Sequence, residues 1–291
     1  MHRKIIFASL IAILCIAESH AQVQNIMNAY NRYNRASAKA KRLYQRDYLG
    51  YGMPKMNIEV WQHYTDDRTV YGDPTVPVTY TSRPADTIIR GKYSPSSSLS
   101  YTEGTFIPMF KIGREGMFAI DISASTSVYQ YAIGKIDYSS NTGVEETGIV
   151  QQYTFPIALV YKSGGEVNLN KKSKVLFTAG GGICPGMTGS KIIAFSDIMF
   201  TAQPYGIVEF GIFAGLAWKI RATFYTKKLT LLDNQYADIF DADSYHTDTY
   251  GNLNIKVTGQ PGVMLSLLVN PFSWDWKGKG DNYSPWNKGV L

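Results

Sequence analysis

The chain has 291 residues, a formal charge of +6 and two cysteines, Cys15 and Cys184. Cys15 falls in an apolar leader, so the remainder has no internal disulfide to staple it, and no Cys or His cluster has metal-ligand spacing. The positive excess sits at the front: residues 22–104 hold eleven Lys and Arg against seven Asp and Glu, while residues 105–291 hold sixteen against fifteen. Beyond the leader no segment reaches the unbroken apolar length of a spanning helix, so a membrane location requires strands.

Residues 1–21 read as a secretory signal peptide. His2, Arg3 and Lys4 precede the run IIFASLIAILCIA, and Ser19 and Ala21 place small residues before a cut at Ala21–Gln22. Leu14 before Cys15 departs from a lipoprotein signal. Export removes nucleic acid as a partner of the basic segment that follows.

Residues 22–49 predict a basic amphipathic helix. Val23, Ile26, Tyr30, Tyr33, Ser37, Ala40 and Tyr44 step by threes and fours, while Arg32, Arg35, Lys39, Arg42 and Arg46 fall mostly on the other face. Residues 50–84 predict an extended, proline-punctuated arm. Aromatic and arginine side chains dominate interface anchors, which makes Tyr30, Tyr33, Arg35, Lys39, Arg42, Tyr44 and Trp61 candidate partner contacts. A helix lying on inner-leaflet headgroups or capping a barrel fits the same pattern.

Residues 85–273 predict a transmembrane antiparallel β-barrel, making the fold class all-β. In MFAIDISASTSVYQYAIG, Phe118, Ile120, Ile122, Ala124, Thr126 and Val128 alternate with Ala119, Asp121, Ser123, Ser125 and Ser127. VQQYTFPIALVYK and LAWKIRATFYTK repeat the period of two, with aromatic residues near the strand ends. A soluble sandwich also alternates. Strands of about ten residues, terminal aromatic girdles and charges mid-strand on the polar face favour the barrel. Those charges, Asp121, Glu209, Lys219 and Arg221, are expected to form a network in the lumen, and small Ser123, Ser125 and Ser127 suit an interior just wide enough for side chains.

Connection lengths alternate as in outer-membrane barrels. Turns at Glu115–Gly116 and Ala214–Gly215 are tight and residues 164–173 form a shorter connection, while long loops are expected at 133–148, 185–202 and 229–250. The first strand is expected within residues 75–101, in TVPVTYTS or DTIIRGKY. At the other end Ile255, Val257, Val263, Leu265, Leu267 and Val269 keep one parity across Gly259–Gly262, either as one kinked strand or as a hairpin. The kinked strand gives eight strands in all, with ten as the alternative, and residues 274–291 form a polar tail.

Little in the sequence points to chemistry. His246 lies near Ser244, Asp243 and Asp248, and a helix followed by a barrel is similar in architecture to a family of outer-membrane acyltransferases. Asp233, Asp238, Asp241, Asp243 and Asp248 lack the ordered spacing of a calcium loop, and Gly180–Gly182 is not followed by the helix of a phosphate loop. The expectation is no cofactor, no metal and no catalysis.

The Ala21–Gln22 junction resembles that of exported proteins of the Bacteroidota. With the barrel pattern, the chain resembles the small outer-membrane barrels that accompany type IX secretion and gliding machinery. That resemblance implies a structural, scaffolding subunit whose partners are outer-membrane lipid and other envelope proteins. A lipid-modifying enzyme or a small diffusion channel are the alternatives.

Overall fold

The computed structural model describes residues 28, 31–64, 68–69, 82–83, 87–113, 115–137, 142–167, 175–192, 195–234, 253–273 and 276. The leader, TVPVTYTS before Ser82, the acidic segment with His246, and the tail apart from Trp276 lie outside the described residues. Two compact units divide the chain at Arg46–Asp47.

The first unit holds helical residues 31–35 and α1 (Ala38–Tyr44). The single helix expected over 22–49 is interrupted at Ala36–Ser37. Ser37 is extended, with ψ of 159°, and its hydroxyl accepts the Ala40 amide at 3.3 Å, so it starts a second helix in place of continuing the first.

The second unit is built of strands: β1 (Tyr48–Lys55), β2 (Ile58–Tyr64), the short pair β3 (Arg68–Thr69) and β4 (Ser82–Arg83), β5 (Thr87–Tyr93), β6 (Pro95–Ile112), β7 (Gly116–Asp137), β8 (Thr142–Thr154), β9 (Ile157–Gly164), β10 (Val175–Ile192), β11 (Phe195–Ala214), β12 (Leu216–Tyr225), β13 (Leu229–Asn234), β14 (Leu253–Gly259) and β15 (Val263–Asn270). Several are halves of one kinked strand. β1 runs into β2, β5 into β6, β8 into β9 at Phe155–Pro156, β12 into β13, and β14 into β15. Eight long strands result, and the ring β1–β6–β7–β8/β9–β10–β11–β12–β15 closes where β15 pairs with β1, Leu49 opposite Val269. The chain is an all-β antiparallel barrel with no free edge at this level.

The first barrel strand is therefore β1 at 48–55, not a segment within 75–101. TIIRGKY instead opens the second strand as β5. Inward positions of β1 are Tyr48, Gly50, Gly52 and Pro54, and the last three read as arm because they lack the bulk that advertises a strand. Gly180 and Gly182 of β10 have a related role: a Cβ would lie 2.2 Å from the Leu159 carbonyl oxygen and 1.9 Å from that of Ile157, so glycine lets β9 approach β10.

Residues 133–148 and 185–202, expected as loops, are mostly strand: β7 and β8 pair up to Asp137–Thr142, and β10 and β11 up to Ile192–Phe195. Beyond the barrel the ring splits into two layers. One is the sheet β13–β14–β2–β5, and the other is the continuation of β7, β8, β10 and β11. Between them lies an apolar core that includes Ile58, Val60, Tyr131, Ile133, Val150, Ile192, Leu229, Leu231, Ile255 and Val257. These buried side chains make the strands continue where the sequence outside turns polar.

Candidate functional site: the filled lumen

At the barrel's turn end, strands β7, β9, β11 and β12 aim Asp121, Lys162, Glu209, Lys219 and Arg221 inward, because each lies on the inward parity of its strand. The turn after β9 adds Glu166, and all six side chains are at most 4 % exposed. Three cations face three carboxylates. Glu166 bridges Lys162 at 2.9 Å and Lys219 at 2.8 Å. Glu209 lies 3.6 Å from each lysine and accepts from the Arg221 guanidinium, whose Nη2 also reaches Asp121 at 3.3 Å. Tyr48 donates its hydroxyl to Asp121 at 2.6 Å, and its ring lies 4.5 Å from both the Lys219 ammonium and the Arg221 guanidinium.

Above this layer is a hydroxyl ladder. Ser125 bonds Ser100 at 3.1 Å and Thr102 at 2.9 Å, while Ser127 donates to Ser100 at 3.0 Å. Tyr129 donates to Gln152, which donates to Thr188. The void among Tyr129, Gln152, Gln203 and Tyr225 is about 10 Å³, room for about one water. At the turn end Trp276 stacks on Phe213 at 5.9 Å, and Ser273 accepts the Ala217 amide at 2.7 Å.

The four charges singled out in the sequence are thus brought together, with three further members. Lys162 shares the inward parity of a strand already recognised and was legible. Glu166 reaches the site from a turn, and Tyr48 from β1 across β6, for which sequence periodicity carries no signal. Cys184 is buried, in keeping with its reading as a small hydrophobe.

Of the candidate partner contacts, Tyr30 and the side chain of Lys39 lie outside what is described. Tyr33 packs edge-on against Tyr44 at 6.1 Å, lies under the Lys41 ammonium and accepts from Gln45 at 3.2 Å. Arg35 is exposed and Arg42 half-buried. Trp61 belongs to β2 in the split end, where its ring lies tilted against His63 at 5.3 Å. Among the described residues no group of three or more metal-ligating side chains occurs.

No protein-family profile and no curated protein sequence matches the chain. Similar solved structures include the outer membrane protease OmpT of Escherichia coli (5% identity, 77% of this chain and 96% of that one, TM-score 0.33). Others are Ail, the attachment invasion locus protein of Yersinia pestis (8%, 75% and 98%, 0.23), and a FadL homologue of Pseudomonas aeruginosa (8%, 77% and 90%, 0.22). At these values no residue or activity transfers. The expectation of a non-catalytic chain is nevertheless corrected: one similar structure is a protease, so a barrel of this kind does not exclude catalysis.

The outward face decides the solvent. Ile157, Leu159, Phe177, Phe210, Ile220, Leu265 and Leu267 are each 40 to 58% exposed around an interior of ions and hydroxyls. Closed strands, an apolar belt outside and polar groups within are the architecture of an integral outer-membrane barrel.

Proposed function

We propose that this chain is an anchoring subunit of a larger envelope assembly, held in the outer membrane by a plugged barrel and working through its surfaces. The observation that carries the reading is the filled interior. Six charges pair within the lumen, hydroxyls occupy the next level and aliphatic side chains fill the split end. Such an interior favours an anchor over a diffusion channel.

In this reading residues 1–21 direct export and the short turns face the periplasm, as is usual for such barrels. The first unit is then periplasmic, with Tyr30, Arg35, Lys39, Arg42 and Tyr44 as its contacts, Tyr33 being fully buried, and the split end faces outward. The Ala21–Gln22 junction supports placing the assembly among the secretion or gliding machinery of Bacteroidota-like envelopes.

The test is purification of the tagged protein from native outer membranes in mild detergent, followed by mass spectrometry. Stoichiometric envelope proteins are expected with the full chain, and their loss on deletion of residues 23–46, which stops short of β1. A solitary barrel in both preparations refutes the reading.

A further inference from the structure

Among the described residues, the lipid-facing belt has one chemical anomaly. Glu103 stands exposed on the outward face of β6, opposite Leu49 of β1 and Ala124 of β7. Leu99, four residues one way, is 56% exposed and Ile107, four residues the other way, is 50% exposed. Each lies about 13 Å along the strand at the usual rise, farther than a glutamate side chain reaches. The carboxylate therefore sits within the belt and not at a rim.

Its surroundings depart from the belt in the same direction. Tyr101 donates to it at 3.3 Å, and the Tyr101 ring packs on Tyr51 at 5.3 Å. Thr105, Ala124 and Thr126 keep the adjoining outward surface small. Among the described residues, the belt positions of β1, β7, β9, β11, β12 and β15 between their rims carry no charge, being filled by residues such as Ile120, Leu159, Phe210, Ile220 and Leu265. One phenol hydrogen bond leaves most of a carboxylate's acceptor capacity unused, and an ionisable side chain facing hydrocarbon marks a functional contact whose partner supplies the missing groups.

We infer that the β1–β6–β7 face is an intramembrane docking surface for a different envelope protein, whose membrane-embedded segment brings a lysine or arginine to Glu103 over the flat Thr105–Ala124–Thr126 floor. Charge complementarity selects this occupant. A second copy meeting the same face across a two-fold axis would set two Glu103 carboxylates against each other, and a hydrocarbon chain offers no donor. The inference rests on the reading of the chain as an assembly subunit and adds where in the bilayer that assembly is joined.

Two measurements on the full chain test it together. In vesicles of pure phospholipid, Glu103→Leu is expected to raise the urea midpoint, because the isolated barrel loses a carboxyl group that hydrocarbon solvates poorly and that only Tyr101 bonds. In native membranes the same variant is expected to lower co-purification of the partner at least fivefold. A photo-crosslinking amino acid at Thr105 should join the chain to that same partner, and after Glu103→Lys a charge reversal of the crosslinked cation should restore recovery. An adduct of two copies, an adduct with lipid alone, or full partner recovery with Glu103→Leu overturns the inference. If nothing co-purifies with the unaltered chain, the assembly reading itself fails.

Discussion

Replacing Glu209 by Gln tests whether the lumen network holds the barrel together. Glu209 touches all three cations: Arg221 by a charge-assisted hydrogen bond, and Lys162 and Lys219 at 3.6 Å each. Its removal leaves three buried cations facing only Asp121 and Glu166. Breaking a buried pair by removing one partner costs about 3 to 5 kcal/mol, a factor of roughly 10² or more in the folding equilibrium. With an m value of about 2 kcal/mol/M, a loss of about 4 kcal/mol lowers the urea midpoint by about 2 M. The assay is urea unfolding in lipid vesicles, followed by Trp fluorescence and by heat-modifiable mobility on gels. Arg221→Met alone should cost a comparable amount. The double variant should cost clearly less than the sum, since Lys162 and Lys219 then balance Asp121 and Glu166. Single changes below about 1 kcal/mol, or strictly additive ones, would refute the view that the six charges act as one paired unit.

Two further outcomes probe the walls. Ile157→Arg, on the lipid face next to the Phe155–Pro156 break, should lower barrel stability by about 2 to 4 kcal/mol if placed near mid-bilayer, whereas Ser125→Thr in the hydroxyl ladder should be much milder by the same assay. Gly50→Ala should impair closure, because its Cβ would lie 2.0 Å from the Leu267 carbonyl oxygen across the β1–β15 seam; normal heat-modifiable mobility of that variant would show that the seam gives way without loss.

Period-two alternation made β7, β9, β11 and β12 legible, and with them Asp121, Glu209, Lys219 and Arg221. The rest was hidden for identifiable reasons. Past Tyr48 the seam strand β1 has only glycine and proline inward, so no apolar row announced it. Between β14 and β15, the residues 260–262 make a kink: Ile255 and Val257 face the apolar core, whereas Val263, Leu265 and Leu267 face lipid. The kinked-strand reading was right, but the single parity that suggested it was a coincidence of numbering. Glu166 pairs locally with Lys162 but reaches Lys219, 53 residues on, only across the lumen, and Tyr48 reaches Asp121, 73 residues on, across β6 from a strand that the pattern did not show.

The strand extensions were missed because the rule that identified the barrel reverses along the same strands. On β7 the outward row is apolar from Phe118 to Val128 and then reaches Gln130, while the inward row passes from Ser123, Ser125 and Ser127 to Tyr129, Tyr131 and Ile133. On β1–β2 the outward row passes from Leu49, Tyr51 and Met53 to Lys55, Asn57 and Glu59, as the inward one passes from Gly50 and Gly52 to Met56, Ile58 and Val60. β5–β6 reaches the same arrangement by another route: the irregularity between Pro95 and Ser97 shifts the facing by one residue, so Arg90 and Lys92 outside give way to Leu99 and Tyr101, and Ile89 and Tyr93 inside to Ser100 and Thr102. On β7 and β1–β2 the facing is unchanged where polarity inverts, so what changes is the solvent: hydrocarbon outside below the switch and water above it. From Gly116 to the switch at Val128, twelve steps of about 3.3 Å tilted by about 40° span about 30 Å, the thickness of a bilayer's hydrocarbon core. The inversion of parity polarity therefore measures the membrane from the sequence itself, and it requires the split end, with its own apolar core, to fold as a water-exposed module continuous with the barrel.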